Sequence, residues 1–285
     1  MSLAEYAARE GLHKVGGRPP IFAYLVDVWR RRAFIYSLAR FRIEADNGRN
    51  RLGMGWVVLK PLINAAVYGT IFGILLGREN RPDQFILFLV IGVFFFEYFS
   101  SCFTSGAKSI TKNANLVQSL SFPRMSLPLA LVTQRLLEFV PMIVIMIGLV
   151  LGFGNAPMWD WLLLIPLVAL FTVFNVGLTL ITARLTVHFR DLTQLLPFVS
   201  RFFFYTSGTF FSVERRFGDN ETIMTIADFQ PIHEFMDLAR SIMLTGPDYV
   251  IKPEYWVYAA GWSVLFLVVG TVYFWAAEER YGRTD

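Results

Sequence analysis

Five charged side chains, Lys60, Glu97, Arg135, Glu138 and Arg201, fall well inside stretches that are otherwise almost wholly apolar. A charge held in such a stretch, if the stretch lies in lipid, is costly and marks a function or a partner by default. Arg135 and Glu138 stand three apart, a spacing that places them together on one helix face, so they can neutralise each other. Lys60 lies near the start of its stretch and can extend its ammonium back toward the surface. Arg201 lies roughly 6–8 Å inside its stretch, counted at 1.5 Å per residue, beside Phe202, Phe203, Phe204 and Tyr205. A cation at that depth either draws a phosphate inward or pairs with Glu97 across a helix interface. Both readings stay open at this point.

Other chemistries have no support. The patterns HExxH, GxSxG and GxxxxGK[ST] do not occur in the sequence. His13, His188 and His233 are far apart, without the spacing of a metal site. The single cysteine, Cys102, excludes an intrachain disulfide and a cysteine metal cluster. No metal and no cofactor is therefore expected in this chain. Without a phosphate-binding loop it cannot hold ATP by that route, so any ATP-driven motor must be a separate polypeptide.

The elements that position these residues are six apolar stretches, at 56–77, 85–103, 127–153, 161–185, 196–212 and 256–277. A hydrocarbon core about 30 Å thick needs roughly 20 mostly apolar helical residues to cross it. The fifth stretch is short for that. Hydrophobic residues make up 55% of the chain and charged residues 17%, and the mean hydropathy is +0.48, outside the usual soluble range. Residues 1–20 are polar and carry no apolar run of signal-peptide type, so the first span is expected to persist in the mature protein. Of the 26 Lys and Arg residues, 17 fall on the side that holds both termini, against six on the other and three within the stretches. Basic residues concentrate in cytoplasmic loops. Both termini are thus expected in the cytoplasm, and the +4 net charge reflects topology; nucleic acid is not an expected partner.

Outside the spans, residues 21–53 place Phe34, Leu38, Phe41 and Ala45 at helical spacing, with Arg40, Arg42 and Glu44 on other faces. Such an amphipathic helix lies at a membrane interface, either as a topology anchor or as a collar that meets an anionic lipid-linked molecule and a partner protein. The loop 107–128 has no acidic residue and contains a short helical stretch around 113–120, then Phe122-Pro123-Arg124, where the proline ends the helix. It reads equally as a basic connector or as a short lever fixed to two spans that receives force from a soluble partner. A second loop carries Phe189-Arg190-Asp191-Leu192 before Pro197, read most simply as a solvated helix start. The segment 213–255 is net acidic, and its stretch 231–244 opens on Pro231 and sets Ile232, Phe235, Leu238, Ala239, Ile242 and Met243 on one broad face. That apolar face needs cover, so short helices folding back into the outer leaflet are expected here. Backbone of that kind survives at membrane depth only inside protein or beside a water-filled cavity.

Two stretches share an aromatic excess: Phe94, Phe95, Phe96, Tyr98, Phe99 and Phe103 in the second, and Phe202, Phe203, Phe204, Tyr205, Phe210 and Phe211 in the fifth. Helical spacing sets Phe95, Phe99 and Phe103 on one face, and pairs Phe203 with Phe210 and Phe204 with Phe211. The rings are either lipid-facing filler or a track on which the C–H faces of sugars slide. Trp56, Trp159, Trp161, Trp256 and Trp262 read as interface anchors.

The ordered set Arg51-Leu52-Gly53, Gly55-Trp56, Lys60-Pro61, Asn113-Ala114-Asn115-Leu116, Phe122-Pro123-Arg124 and Leu127-Pro128 resembles the membrane subunits of type-2 ABC exporters for polysaccharides. The FRDL sequence at 189–192 with Pro197-Phe198, and the Pro231 stretch, add to that likeness, which runs from about Phe34 to the end of the chain. The resemblance implies an all-α integral membrane protein in two parts. Residues 1–53 would form a cytoplasmic tail with amphipathic interface helices, and 54–285 a six-helix transmembrane domain with a cytoplasmic coupling helix and short external re-entrant gate helices. It implies that Lys112, Asn113, Asn115, Leu116, Phe122, Pro123 and Arg124 contact an ATPase subunit, which binds ATP and Mg. It further implies a homodimer with two such subunits in a bacterial inner membrane, and a glycan on polyprenyl diphosphate as cargo. On that view Phe94, Phe95, Tyr98, Phe99, Phe103, Phe203, Phe204, Tyr205 and Phe210 line the glycan path, and Pro231, Phe235 and Leu238 belong to the gate. Charge and depth make Arg40, Arg42 and Arg201 the candidates for the diphosphate. The tail Trp275-Ala276-Ala277-Glu278-Glu279-Arg280-Tyr281-Gly282-Arg283 resembles actinobacterial members and points to a galactan. The rival expectations are an exporter of another amphipathic or lipid substrate, an ion-coupled secondary transporter, and a membrane-embedded glycosyltransferase.

Overall fold

The computed structural model describes residues 19–48, 51–75, 81–119 and 122–278. The basic residues Arg9, Lys14, Arg18, Arg49, Arg78, Arg280 and Arg283, together with Leu120 and the tail from Glu279, lie outside the described residues. Those described are helical with connecting turns, and no strand occurs among them. Among the described residues, five helices are long and apolar enough to cross a membrane. They are α3 (Gly55–Leu75), α4 (Phe85–Ala107), α6 (Ser126–Gly152), α7 (Leu164–His188, entered through the 3-10 turn Trp159–Leu163) and α12 (Pro253–Trp275). This is the architecture of a multi-pass membrane protein.

Before them come α1 (Ile21–Arg30) and α2 (Arg32–Asn47); α5 (Ala114–Ser119) follows α4. After α7 come α8 (Leu192–Thr206), α9 (Val213–Phe217), α10 (Glu221–Asp228) and α11 (Pro231–Met243). The expected fifth stretch, 196–212, begins four residues earlier as a helix and stops at Thr206. Its 15 residues reach only about 22 Å. Gly208, at φ +69°, takes the left-handed conformation that glycine adopts most readily, and the chain turns there. Phe203 and Phe210, and Phe204 and Phe211, therefore do not share a helical face, contrary to the sequence expectation.

α4 is the central helix. Its first half, to Phe96, is apolar on every side, and α3, α6, α7, α8 and α11 pack around the helix, while Glu97, Ser100, Ser101 and Thr104 give its second half a polar stripe. α7 and α12 touch backbone to backbone. A Cβ at Gly177 would collide with the carbonyl of Phe266, and one at Gly270 with the carbonyl of Gly177. Membrane helices use small residues in this way to gain close packing. Hydroxyl groups add bonds between helices: Ser263 Oγ donates to Leu170 O at 2.9 Å, Thr179 Oγ1 to Cys102 O at 3.2 Å, and Thr186 Oγ1 to Ala107 O.

The N-terminal helices gather at the end of the bundle that also holds the α4–α6 connection and the C-terminal residues. α2 lies along α6 and buries Ile35, Ala39 and Ile43. Of the stripe Phe34, Leu38, Phe41 and Ala45, expected to face a membrane interface, Phe41 is 65% exposed and Ala45 is exposed too. The small Ala39, fully buried, lets the two helices approach along the neighbouring stripe.

Candidate functional site

The connection after α4 runs through the 3-10 turn Thr111–Asn113 into α5. Asn113 Nδ2 donates to Ser109 O at 2.7 Å, Val117 is buried, and Leu116 is half-buried. Thr111, Lys112, Ala114 and Asn115 point outward. Phe122, Pro123 and Arg124 turn the other way. The Phe122 ring packs on Phe34, with 5.6 Å between centroids, and Pro123 is buried. Arg124 donates from Nη1 to Glu278 O at 2.8 Å and from its backbone N to Glu278 Oε1 at 3.0 Å. Tyr24 OH donates to Glu278 Oε2 at 2.7 Å and accepts from Met125 N at 3.1 Å. Burial pushes the Glu278 carboxyl above its ordinary pKa, while the Arg124 N–H, Tyr24 and the Arg124 charge hold it back. The expected contact segment thus divides in two. Lys112 and Asn115 are presented at the surface, and Phe122, Pro123 and Arg124 anchor the turn to α2, α1 and the C-terminal end. Sequence reading missed Tyr24 and Glu278.

Two polar cavities lie between the helices, the first of them bordering this segment. The first, about 490 Å³, opens between α3, α4 and α8 and is lined by Lys108, Lys112 and Arg201 with Asn64, Thr104 and Ser200. Ser100 and Ser200 join α4 to α8 there, with their hydroxyls 2.7 Å apart. The second, about 360 Å³, is lined by Asp46, Trp56, Lys60, Glu97, Arg135 and Glu138. The pairing expected of Arg135 and Glu138 is present, Nη1 to Oε2 at 2.6 Å. Gln134 Nε2 extends it, donating to Glu138 Oε1 and to Asp46 Oδ2, each at 3.1 Å. Glu97 lines both cavities and accepts from Ser101 Oγ at 3.2 Å. Among the described residues no ion pair joins it to Arg201.

The three arginines considered for a diphosphate do not share a cavity. Arg40 is exposed and pairs with Glu44 at 3.4 Å, one helical turn along α2. Arg42 is half-buried near Asp46 and Arg135, and burial lowers its pKa while Asp46 opposes that shift. Arg201 has Lys108 and Lys112 for company instead. In the sequence Lys108 read only as a basic loop charge, and Lys112 was expected at the ATPase contact and not beside Arg201.

The aromatic residues separate into core and lining. Phe94, Phe95 and Tyr98 are fully buried: Phe95 meets Phe139 edge-on at 5.2 Å, and Tyr98 stacks on Phe139 at 4.8 Å. Phe99 and Phe103, stacked at 5.6 Å, form one wall of an apolar groove of about 710 Å³, together with Phe203, Tyr205 and Trp262. Trp262 lies nine residues beyond Pro253, roughly 13 Å along α12, too deep for the interface anchor expected of it. Phe204 faces the cationic cavity and packs on Tyr68 at 5.2 Å. Phe210 is buried and stacks on Phe72 at 4.4 Å.

α11 covers the bundle at the opposite end. Pro231 opens it, Phe235 packs on Phe171 at 4.5 Å, and Leu238 is buried. Its apolar face is wholly covered by the chain itself. Arg240 is also buried, and it donates to three carbonyls: Phe88 O at 3.2 Å, Gly208 O at 3.0 Å and Thr209 O at 3.2 Å. Its guanidinium lies 3.5 Å over the Phe88 ring, in space that Gly92 leaves free. In the sequence Arg240 read only as one more loop cation.

The sequence matches the ABC-2 type transporter family over residues 35–244. An O-antigen export system permease protein RfbA from Myxococcus xanthus is 28% identical to it over 181 residues, 64% of this chain and 69% of that one. A permease of the same name from Klebsiella pneumoniae is 27% identical over 234 residues, 81% of this chain and 86% of its own length. With a family match over most of its length, on a bundle of membrane-length helices, this chain belongs to the ABC-2 type transporter family and is a multi-pass membrane permease.

Proposed function

We propose that this chain is the channel-forming subunit of an ATP-driven exporter that moves a polysaccharide, carried on polyprenyl diphosphate, out of the cytoplasm of a bacterium. Family membership supports an ATPase partner, and the O-antigen export permeases to which the chain is similar support a glycan cargo. In this reading two copies of the chain pair in the inner membrane, each with one ATPase subunit that binds ATP and Mg. The end bearing the basic loops and both termini faces the cytoplasm, and α8 with the returning segment before α11 makes a sixth crossing. The tail that points to a galactan is described only as far as Glu278, and the proposal stops at a polysaccharide.

One observation carries the mechanism. Lys112 belongs both to the exposed part of the coupling segment and to the cavity that holds Lys108 and Arg201. A phosphate-bearing head group makes its strongest hydrogen bonds with cationic donors, and here it would touch the segment that engages the motor. ATP closure of the partner pushes on Lys112 and Asn115. The Arg124–Glu278–Tyr24 knot passes the push to α1, α6 and the end of α12.

The test is cross-linking in the assembled complex. Cys102 is fully buried, so an Asn115→Cys variant offers a single reactive thiol. It should cross-link to the co-purified ATPase subunit, and Lys112→Ala with Asn115→Ala should uncouple hydrolysis from glycan export without loss of folded protein. Export that continues after ATP depletion, or an ATPase that never co-purifies, would defeat the proposal.

A further inference from the structure

Glu97 is out of place in a site for phosphate alone. It lines the same cavity as Lys108, Lys112 and Arg201, where a carboxylate repels the anion that three cations attract. Its side chain is only half-buried, its one bonded partner among the described residues is Ser101, and it also lines the neighbouring cavity. That second cavity has a different chemistry. An indole, Trp56, stands with carboxylates and with the cationic donors Lys60 and Arg135. Acceptors and donors mixed around one aromatic face suit a polyol, whose hydroxyls donate to carboxylate and whose C–H faces stack on a ring. A volume of about 360 Å³ lies at the small end of ligand sites, which run from about 300 to 1,000 Å³. It has room for the first sugar of a chain and not for a run of them. In that setting the Glu97 carboxylate has work to do, as acceptor for a sugar hydroxyl next to the phosphate-bearing carbon.

We propose that the two cavities sharing Glu97 form one bipartite site for a glycosyl diphosphate. The diphosphate sits against Lys108, Lys112 and Arg201, and the first sugar sits between Trp56 and Glu97. The inference rests on the reading of the cargo as a diphosphate-linked glycan. It adds that the permease selects the sugar nearest the lipid, before polymer length matters, and that Lys112 registers occupancy on the coupling segment.

The experiment uses the intact complex with its ATPase subunits in nanodiscs. Binding is measured for farnesyl diphosphate, for farnesyl diphosphates bearing glucose, galactose or N-acetylglucosamine, and for inorganic pyrophosphate. At least one sugar-bearing probe should bind about tenfold more tightly than bare farnesyl diphosphate, the scale of one hydrogen bond to a charged group. Glu97→Gln, close to isosteric, should erase that difference and, by removing a charge that repels the diphosphate, tighten binding of the bare probe. Trp56→Leu is the second variant and should erase it too. Lys108→Ala with Lys112→Ala should weaken every lipid probe at least tenfold. Pyrophosphate should compete only at much higher concentration, and competition at parity would mark a free-anion site and overturn the proposal. Equal binding of bare and sugar-bearing probes by the wild type, or a sugar preference that survives both substitutions, would also overturn it while leaving the cargo reading standing. If no lipid diphosphate binds at all and a deletion strain keeps its surface glycan, the cargo reading itself fails and takes the bipartite site with it.

Discussion

Arg240 and Glu234, six residues apart on α11, are both buried without a carboxylate–guanidinium bond between them. Arg240 solves its burial by geometry. Its planar fork reaches three carbonyls on α4 and on the unwound segment after α8. A lysine has a point charge and cannot span all three. Arg240→Lys should therefore lower the thermal midpoint in detergent by about 5 °C or more, and Arg240→Ala should lower it further, since the Gly208 and Thr209 carbonyls lie outside any helix and each, once orphaned, costs roughly 1–3 kcal/mol. A midpoint unchanged in the lysine variant would show that the fork is not needed. Burial favours the neutral form of Glu234. Neither of its oxygens meets a donor in hydrogen-bond geometry. Burial pushes its pKa up to about 8, the Trp262 indole opposing that shift and Asp228 adding to it. A carboxyl whose folded pKa lies above its unfolded value contributes stability below the ordinary carboxyl range. That contribution is lost as pH rises through the folded value, here a window from about pH 4.3 to about 8. The wild type should then lose several degrees of thermal midpoint between pH 5 and 9 that Glu234→Gln does not lose. Parallel pH curves for the two proteins would rule out a neutral Glu234.

At the scale of elements, the crossing of α7 and α12 depends on two glycines rather than on side-chain fit. Because a Cβ at Gly177 would collide with the Phe266 backbone, even Gly177→Ala should force the helices apart. We expect a loss of about 3 kcal/mol or more, well beyond ordinary helix propensity, which on its own favours alanine by about 1 kcal/mol. Thermal unfolding of Gly148→Ala is the control, since nothing lies near a Cβ at that position; equal behaviour of the two variants would contradict the close crossing. Legibility followed the same division between local pattern and distant contact. The helices α3, α4, α6, α7 and α12 were readable because an apolar run of about twenty residues is a local signal. The end of α8 was placed six residues too late, because Phe210 and Phe211 resume the apolar pattern beyond Ser207-Gly208-Thr209. What stops the helix is Gly208, together with carbonyls captured by an arginine more than thirty positions away. The aromatic stretch of α4 was visible, but not that Phe94 and Phe95 face neighbours within the same chain. Glu278 was invisible for the plainest reason: its partners lie 154 and 254 positions away. In the coupling segment the residue types were readable, whereas the inward turn of Phe122 and Arg124 depends on α2 and the C-terminal end being present.

For the whole molecule, the exposed faces of the bundle differ in polarity. On α12 the outward residues Val257, Val264, Leu265, Val268, Val269 and Val272 are apolar, a face suited to lipid. On α3 and α8 the outward positions mix apolar residues, Ile63, Ile71, Phe198 and Phe202 among them, with Lys60, Asn64, Thr70, Arg201, Tyr205 and Thr206. At membrane depth such groups need protein or water beside them, and the chain covers neither α3 nor α8 on that side. A conduit bounded by α3 and α8, and completed by a second copy, would place them in water, with the cationic cavity at its cytoplasmic mouth. Substituted-cysteine labelling separates the two faces. Because Cys102 is fully buried, the wild type gives a low background. A membrane-impermeant maleimide should modify Asn64→Cys and Tyr205→Cys at least tenfold faster than Val264→Cys, and ATP hydrolysis by the partner should change the first two rates and not the third. Equal rates at all three positions would place α3 and α8 against lipid, and the path for the cargo would then have to lie elsewhere in the assembly.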